Sequence, residues 1–310
     1  MLTRFLRLTL LAVAAVVLAV ALAGCGSSSS STSSSSTTPS SAGGTGDATF
    51  GATKDSSIAA MVPSKYQGGI EVASDASYAP MEYIDTDGST VIGADVDLGK
   101  AIGTIMGVPM NFKNVTFDAI IPGLAADKYG LGMSSFTDTL ERQQTVDFVT
   151  YYSAGTSFYT KASGGPDIQT LADLCGQKVA VETGTTEQTD AEAQSKKCTN
   201  SGKAAVALQT YPTQNAANLA LSSSKADVGM ADSPVAAYIA QQSNGQFKVS
   251  GQPYGTAPYG IAIPKNSGLS KPVLAAVKKL IADGAYAKIL AKWDLSEGAI
   301  SNPGINQATS

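Results

Sequence analysis

The sequence predicts an α/β body of two lobes, and three observations lead there. Strand-like and helix-like apolar patterns alternate along most of the chain, the order that builds mostly parallel sheets covered by helices. About 250 residues from Ser57 onward carry this alternation, enough for two medium domains with cores of their own. No internal repeat replaces it, and only one low-complexity stretch occurs, near the N-terminus.

Arg4 and Arg7 precede an unbroken apolar run from Leu8 to Ala23, which is short for a membrane span and reads as an export signal. The run ends in Leu22-Ala23-Gly24-Cys25, which looks like the bacterial lipobox, where the cysteine thiol is diacylated and becomes the new N-terminus. Residues 1–25 are assigned to this signal; an ordinary cleaved signal with an incidental cysteine is the other reading. Residues 26–57 begin with a Ser/Thr/Gly-rich run almost without apolar side chains. Such a run cannot bury enough surface to order itself, so a flexible tether is expected.

Gly69 to Ser74 alternates around Ile70 and Val72 and reads as a strand entering the loop Asp75–Pro80. Loops at the carboxyl ends of strands carry ligands in α/β folds. After a turn at Asp87-Gly88, residues Leu98, Ala101, Ile102, Ile105 and Met106 recur at helical spacing, with Asp95 or Asp97 in the first turn, where the helix dipole favours an acid. A second helix over Phe117–Asp127 puts Ile120, Ile121, Leu124 and Ala125 on one face. Strand and helix then alternate through Leu131–Ser134, Thr139–Thr145, Gly176–Val181, Thr186–Lys196, Ala205–Gln209, Thr213–Ser224, Val228–Met230 and Pro234–Gln242. A strand at Tyr259–Ile263 and helices over Pro272–Ala282 and Ala285–Lys292 close the body at Trp293.

Composition narrows the chemistry. The chain has no histidine, which removes Ser-His-Asp and Cys-His catalysis and the common zinc sites, so no metal or cofactor is expected. A formal charge of −4 and the lack of any Lys/Arg run speak against nucleic acid or an anionic membrane surface as partner, leaving small solutes. Cys175 and Cys198 form an even pair in an oxidising compartment, which favours a disulfide over two buried thiols or a redox pair, and their spacing is not that of a C-x-x-C motif.

Eight short motifs stand in a fixed order: Asp75-x-x-Tyr78-Ala79-Pro80; Gly93-x-Asp95-Val96-Asp97-Leu98; Phe117-Asp118-x-Ile120-Ile121-Pro122-x-Leu124; Ser134-Ser135-x-Thr137 with Glu141-Arg142; Val146-Asp147-Phe148; Gly184-Thr185-Thr186; Ala231-Asp232; and Gly284-Ala285-Tyr286 through Trp293. In this order they resemble the bacterial extracellular solute-binding proteins of family 3, the polar amino-acid receptors of ABC importers. One departure is Lys128-Tyr129 before Gly130, where the family usually has Asp. The resemblance implies a type II periplasmic-binding-protein fold, with lobe 1 formed by residues 58–155 plus 257–310 and lobe 2 by residues 156–256. Two crossing strands near Ser153–Thr160 and Gly251–Thr256 would be the hinge. It further implies a monomer on the extracytoplasmic face of the membrane, held by a lipid at Cys25, that binds an amino acid and hands it to an ABC transporter permease.

A free amino acid presents a carboxylate and an ammonium on one carbon, so its receptor must match both and then read the side chain. Arg142 is the candidate carboxylate clamp, because a guanidinium gives two parallel N–H bonds where Lys gives a point charge; alone, it could equally be a solvated charge beside Glu141. Thr185 and Thr186 open a helix with Gln188 at capping-box spacing, so they either cap it or offer its N–H groups to the carboxylate. Asp232 ends a strand just before Ser233-Pro234 and either pairs with the ammonium or caps the helix. In the family, residues matching Arg142, Thr185, Thr186, Asp232, Ser135 and Thr137 hold the backbone of the ligand. Tyr78 and Phe117 would sandwich its side chain, though core packing is the usual fate of an aromatic. An acid at Asp75 leans toward a basic or amide side chain, unless it only binds a backbone amide. Two other functions are compatible with the same fold: the ligand-binding part of a sensor, and a dehydratase of cyclic amino-acid precursors using an acid such as Glu82, Asp118, Glu182 or Glu187.

Overall fold

A computed structural model of the protein describes residues 49–308. The expected signal, Cys25 and the tether as far as residue 48 lie outside the described residues. The last part of the expected tether is ordered instead. Ala52 is buried, Asp55 donates its N–H to Ile105 O at 3.0 Å, and its carboxylate accepts from Ser57 N and Ile58 N to cap helix α1 (Ser56–Ala59). The body therefore reaches back past residue 57; polar composition hid a stretch held by a cap and by Phe50 and Ala52 against the core.

The remaining elements follow as β1 (Ile70–Ser74), β2 (Ser77–Tyr78), β3 (Glu82–Ile84), β4 (Val91–Ile92), α2 (Ala94–Met106), β5 (Met110–Asn114), α3 (Phe117–Ala125), β6 (Leu131–Gly132) and β7 (Val146–Lys161). Then come β8 (Lys178–Glu182), α4 (Thr186–Asn200), β9 (Ala207–Tyr211), α5 (Gln214–Ser222), β10 (Val228–Asp232), α6 (Ser233–Gln242), β11 (Phe247–Pro264), α7 (Ser270–Ala282) and α8 (Ala285–Lys292). The helix expected over Thr139–Thr145 is only a 3-10 turn, Arg142–Gln144, because the stretch is polar and has no apolar stripe to bury. No helix among the described residues is long and apolar enough to cross a membrane.

The strands form one sheet in the order β5-β1-β6-β11-β7-β10-β8-β9, beside a small sheet β2-β3-β4. β1 lies parallel to β5 and β6, and β8 lies parallel to β9 and β10, so each end of the sheet is a parallel α/β unit. Between them run the long antiparallel strands β7 and β11. The first half of β7 pairs with β11 from Val146↔Pro264 to Tyr152↔Tyr259, and its second half also pairs with β10 from Thr156↔Asp232 to Thr160↔Val228. The β7–β11 register shifts between Ser250 and Tyr254, between Tyr254 and Ala257, and between Tyr259 and Gly260, where the two strands pass from one lobe to the other. A Cβ at Gly155 would stand 2.6 Å from Tyr254 O, so only glycine allows this close crossing.

Two apolar clusters result, the first of which runs on from one lobe into Tyr159, Leu221, Ala231 and Val235 of the other. In one, α2, α7 and α8 cover β1, β7 and β11 with Ile102, Ile105, Val273, Leu280 and Ile289, all 1 % exposed or less. In the other, Phe158, Val179, Val181, Val228 and Met230 pack over Ala191 of α4. Cys175 and Cys198 form a disulfide with a Cα–Cα distance of 5.6 Å, tying the segment before β8 to the last turn of α4.

Candidate functional site

The carboxyl ends of β1, β8 and β10 meet with the N-termini of α3 and α4 around a small cavity. Asp75, Tyr78, Phe117, Ser135, Thr137, Arg142, Thr185, Thr186 and Asp232 all line it, together with Ser134, Glu182 and Glu187. Residues up to 157 positions apart are thus gathered because each strand's alternation and each helix's cap aims its exit loop at the same crevice.

Arg142 sits on the 3-10 turn over the rings of Phe117 and Phe136, 5.4 Å from each centroid, and those rings stack at 4.5 Å. Its Nη1 donates to Thr137 O and its Nη2 to Gly184 O, both at 2.9 Å, so the guanidinium ties the two lobes together. Burial pulls its pKa down, but arginine stays cationic at any ordinary pH.

Asp232 does not cap α6. Its side chain makes no cap bond; Oδ2 accepts from Tyr78 OH at 2.8 Å, and its N–H donates back to the same oxygen at 2.9 Å. Burial and the nearby Glu187 charge drive its carboxyl well above the usual range. Thr185, by contrast, does cap α4: Oγ1 accepts from Gln188 N at 3.2 Å and donates to Glu182 O at 2.8 Å. Thr186 Oγ1 donates to Glu187 Oε2 at 3.2 Å, while Glu187 Oε1 accepts from Thr156 Oγ1 at 2.7 Å.

Beneath the cavity lies a second acid pair. Glu82 Oε1 accepts from Ser134 Oγ at 3.2 Å and Oε2 from Ser135 Oγ at 3.3 Å. Asp95 Oδ2 accepts from Ser135 N at 3.1 Å and from Tyr151 OH at 2.7 Å. Both acids are fully buried, and burial raises both pKa values, that of Asp95 to about 6. They hold Ser135 in a left-handed conformation, φ 50°, at the cavity wall. Asp95 reaches this place because Gly93 lets α2 start against β3: a Cβ there would lie 2.1 Å from Met81 O. Glu82 therefore supports the wall rather than lining it, and Asp118 is not among the lining residues.

Asp75 Oδ2 accepts from Phe117 N at 3.0 Å, and its N–H donates to Ser134 Oγ at 2.8 Å. Its carboxyl shares the cavity wall with Glu182, which ends β8. Glu182 is 2 % exposed, and no donor reaches its Oε1. Burial, then the Asp75 charge, pushes its pKa up to about 10. Sequence reasoning named Glu182 and Glu187 only as acids of an enzyme; the signal that could have placed them at the cavity was their position at the end of a predicted strand and in the first turn of the helix after it.

Two α/β lobes, two connecting strands and a polar cleft lined from both sides define a periplasmic binding protein of type II. The family model for bacterial extracellular solute-binding proteins, family 3, matches residues 70–296. The chain is 34% identical over 256 residues to the arginine-binding protein ArgT of Corynebacterium glutamicum, covering 81% of this chain and 83% of that one. The solved structure of an ancestral arginine-binding protein bound to arginine is similar at a TM-score of 0.66 and 34% identity, covering 72% of this chain and 97% of that one. Another, an ancestral amino acid-binding protein described as a precursor of cyclohexadienyl dehydratase, is similar at 0.65 and 34%, covering 73% and 96%. This chain belongs to the bacterial extracellular solute-binding proteins of family 3.

Proposed function

We propose that the protein is the receptor of an amino-acid ABC importer and captures a free amino acid with a basic side chain by closing residues 58–155 and 257–310 against residues 156–256. The observation that carries this reading is the charge of the cavity wall: four carboxyls, Asp75, Glu182, Glu187 and Asp232, face one guanidinium, Arg142. The carboxylate and ammonium common to all amino acids use Arg142 and Asp232. Asp75, Glu182 and Glu187 remain; the Thr156 and Thr186 hydroxyls hold Glu187, and Asp75 and Glu182 match a cationic side chain. The arginine-binding relative and neighbour point the same way.

Closure supplies the affinity. A micromolar complex requires about 8 kcal/mol, whereas exposed ion pairs give about 0–1 kcal/mol each. Charge-assisted bonds shielded from water reach about 1.5–3 kcal/mol each, and only a shut cleft provides that shielding. A lipid at Cys25 would keep this monomeric receptor at the extracytoplasmic face beside its permease. The reading is of binding without turnover.

Calorimetric titration of the full chain with arginine, lysine, ornithine, citrulline, glutamine and glutamate tests this reading. Tight binding of a basic member, with the amino acid recovered unchanged, supports it. Preference for glutamate overturns the charge argument, and conversion of a cyclic hydroxy acid to an aromatic product would make the chain a dehydratase.

A further inference from the structure

Asp75 and Glu182 approach from opposite lobes, one from the loop after β1 and the other from the last residue of β8. Asp75 is 2 % exposed and has one oxygen bound to Phe117 N–H. The neighbouring contact closes the same seam: Gln214, the first residue of α5, donates its N–H to Ser77 Oγ at 3.0 Å. Both acids line one small buried cavity, and no donor reaches Glu182 Oε1; two buried carboxyls in one such site disfavour being ionised together unless a cation sits between them.

Building on the proposed capture of a basic amino acid, we propose that Asp75 and Glu182 share one proton across the closed cleft and release it when a cationic side chain enters between them. The balance is simple. The pair with one proton carries one negative charge; with the ligand's ammonium or guanidinium between two carboxylates the net charge is again minus one, and the proton leaves to solvent. An amide or ureido side chain brings no charge, so the protonated acid stays and donates to its carbonyl while the carboxylate accepts from its NH₂. The same site thus takes basic ligands with proton release and neutral isosteres without it.

The other charged and titratable groups around the pair do not do this. Glu187 of α4 is bound by the Thr156 and Thr186 hydroxyls, Asp232 of β10 by Tyr78, and Arg142 bridges Thr137 and Gly184. Glu82 of β3 is bound by Ser134 and Ser135. Tyr78 of β2 and Tyr159 of β7 are driven upward by burial and stay neutral. Any change at these groups on capture of an amino-acid backbone is common to all ligands and cancels between arginine and citrulline, which differ only at the side-chain terminus, a guanidinium against a neutral ureido group.

The test is calorimetry of the full chain at pH 7 in phosphate and in Tris, whose ionisation heats differ. The heat difference counts protons. Arginine should release close to one more proton than citrulline or glutamine, and its dissociation constant should fall up to tenfold per pH unit between pH 6 and 8. In Glu182→Gln, and independently in Asp75→Asn, the extra proton should disappear even if affinity drops. Arginine binding with the same proton count as the neutral ligands, or with the extra proton intact in both variants, would overturn the exchange and leave the receptor reading standing. Absence of binding by every amino acid would overturn both.

Discussion

Arg142→Ala is the perturbation with the most direct consequence for ligand capture. A guanidinium has five N–H donors, and Thr137 O and Gly184 O take two of them. Three remain, enough for a forked bond to a carboxylate. Two charge-assisted bonds at about 1.5–3 kcal/mol each are lost with the side chain, or about 3–6 kcal/mol in all. At about 1.4 kcal/mol per decade, the dissociation constant of the bound amino acid should rise about 10²–10⁴-fold. Arg142→Lys keeps the charge without the fork and should fall between, at about 10–100-fold. Titration calorimetry at fixed pH and salt measures both, with the melting midpoint of each ligand-free variant reporting separately on the lost lobe contact. An alanine variant that binds within threefold of the parent would refute the clamp and leave Arg142 as a structural bridge over Phe117 and Phe136.

Further consequences concern stability. The Cys175–Cys198 disulfide spans 23 positions, and on the loop-entropy model its reduction should cost about 3.4 kcal/mol. Scanning calorimetry with and without reductant should show the midpoint falling by roughly 7–14 °C; no change would mean that the α4 lobe holds itself together. Glu182 keeps its proton to about 10 when folded but titrates near 4.5 when unfolded. Between those values the folded state binds more protons, so its contribution is complete below the lower value and is lost as pH rises toward the upper. The ligand-free melting midpoint should therefore decline from pH 5 to 8, and Glu182→Gln should flatten that slope by at most about 1.4 kcal/mol per pH unit. A slope unchanged in the variant would refute the protonated state.

The sequence by itself determined the local elements and the inventory of the site. Apolar period and capping residues act over a few positions, so β1, α2, α4 and α5 were legible within a few residues, and so were the strand ends that carry Asp75 and Asp232. Nine of the residues that line the cavity could be named because each lies in a motif, whereas Glu182 and Glu187 lie in none. Partnership was not legible. Whether Asp232 caps α6 or bonds Tyr78, 154 positions away, depends on β2 meeting β10 across the cleft. The long strands β7 and β11 were expected only as short crossings, because their registers and bulges follow from pairing with each other rather than from any period of their own. Thr139–Thr145 looked helical by alternation, yet with Leu140 its single apolar residue and exposed, it closed into one 3-10 turn that presents Arg142. Glu182 came to the cavity wall beside Asp75 only through the fold, and its raised pKa was not legible because a carboxyl's proton affinity is fixed by the burial and charges that tertiary structure imposes on it.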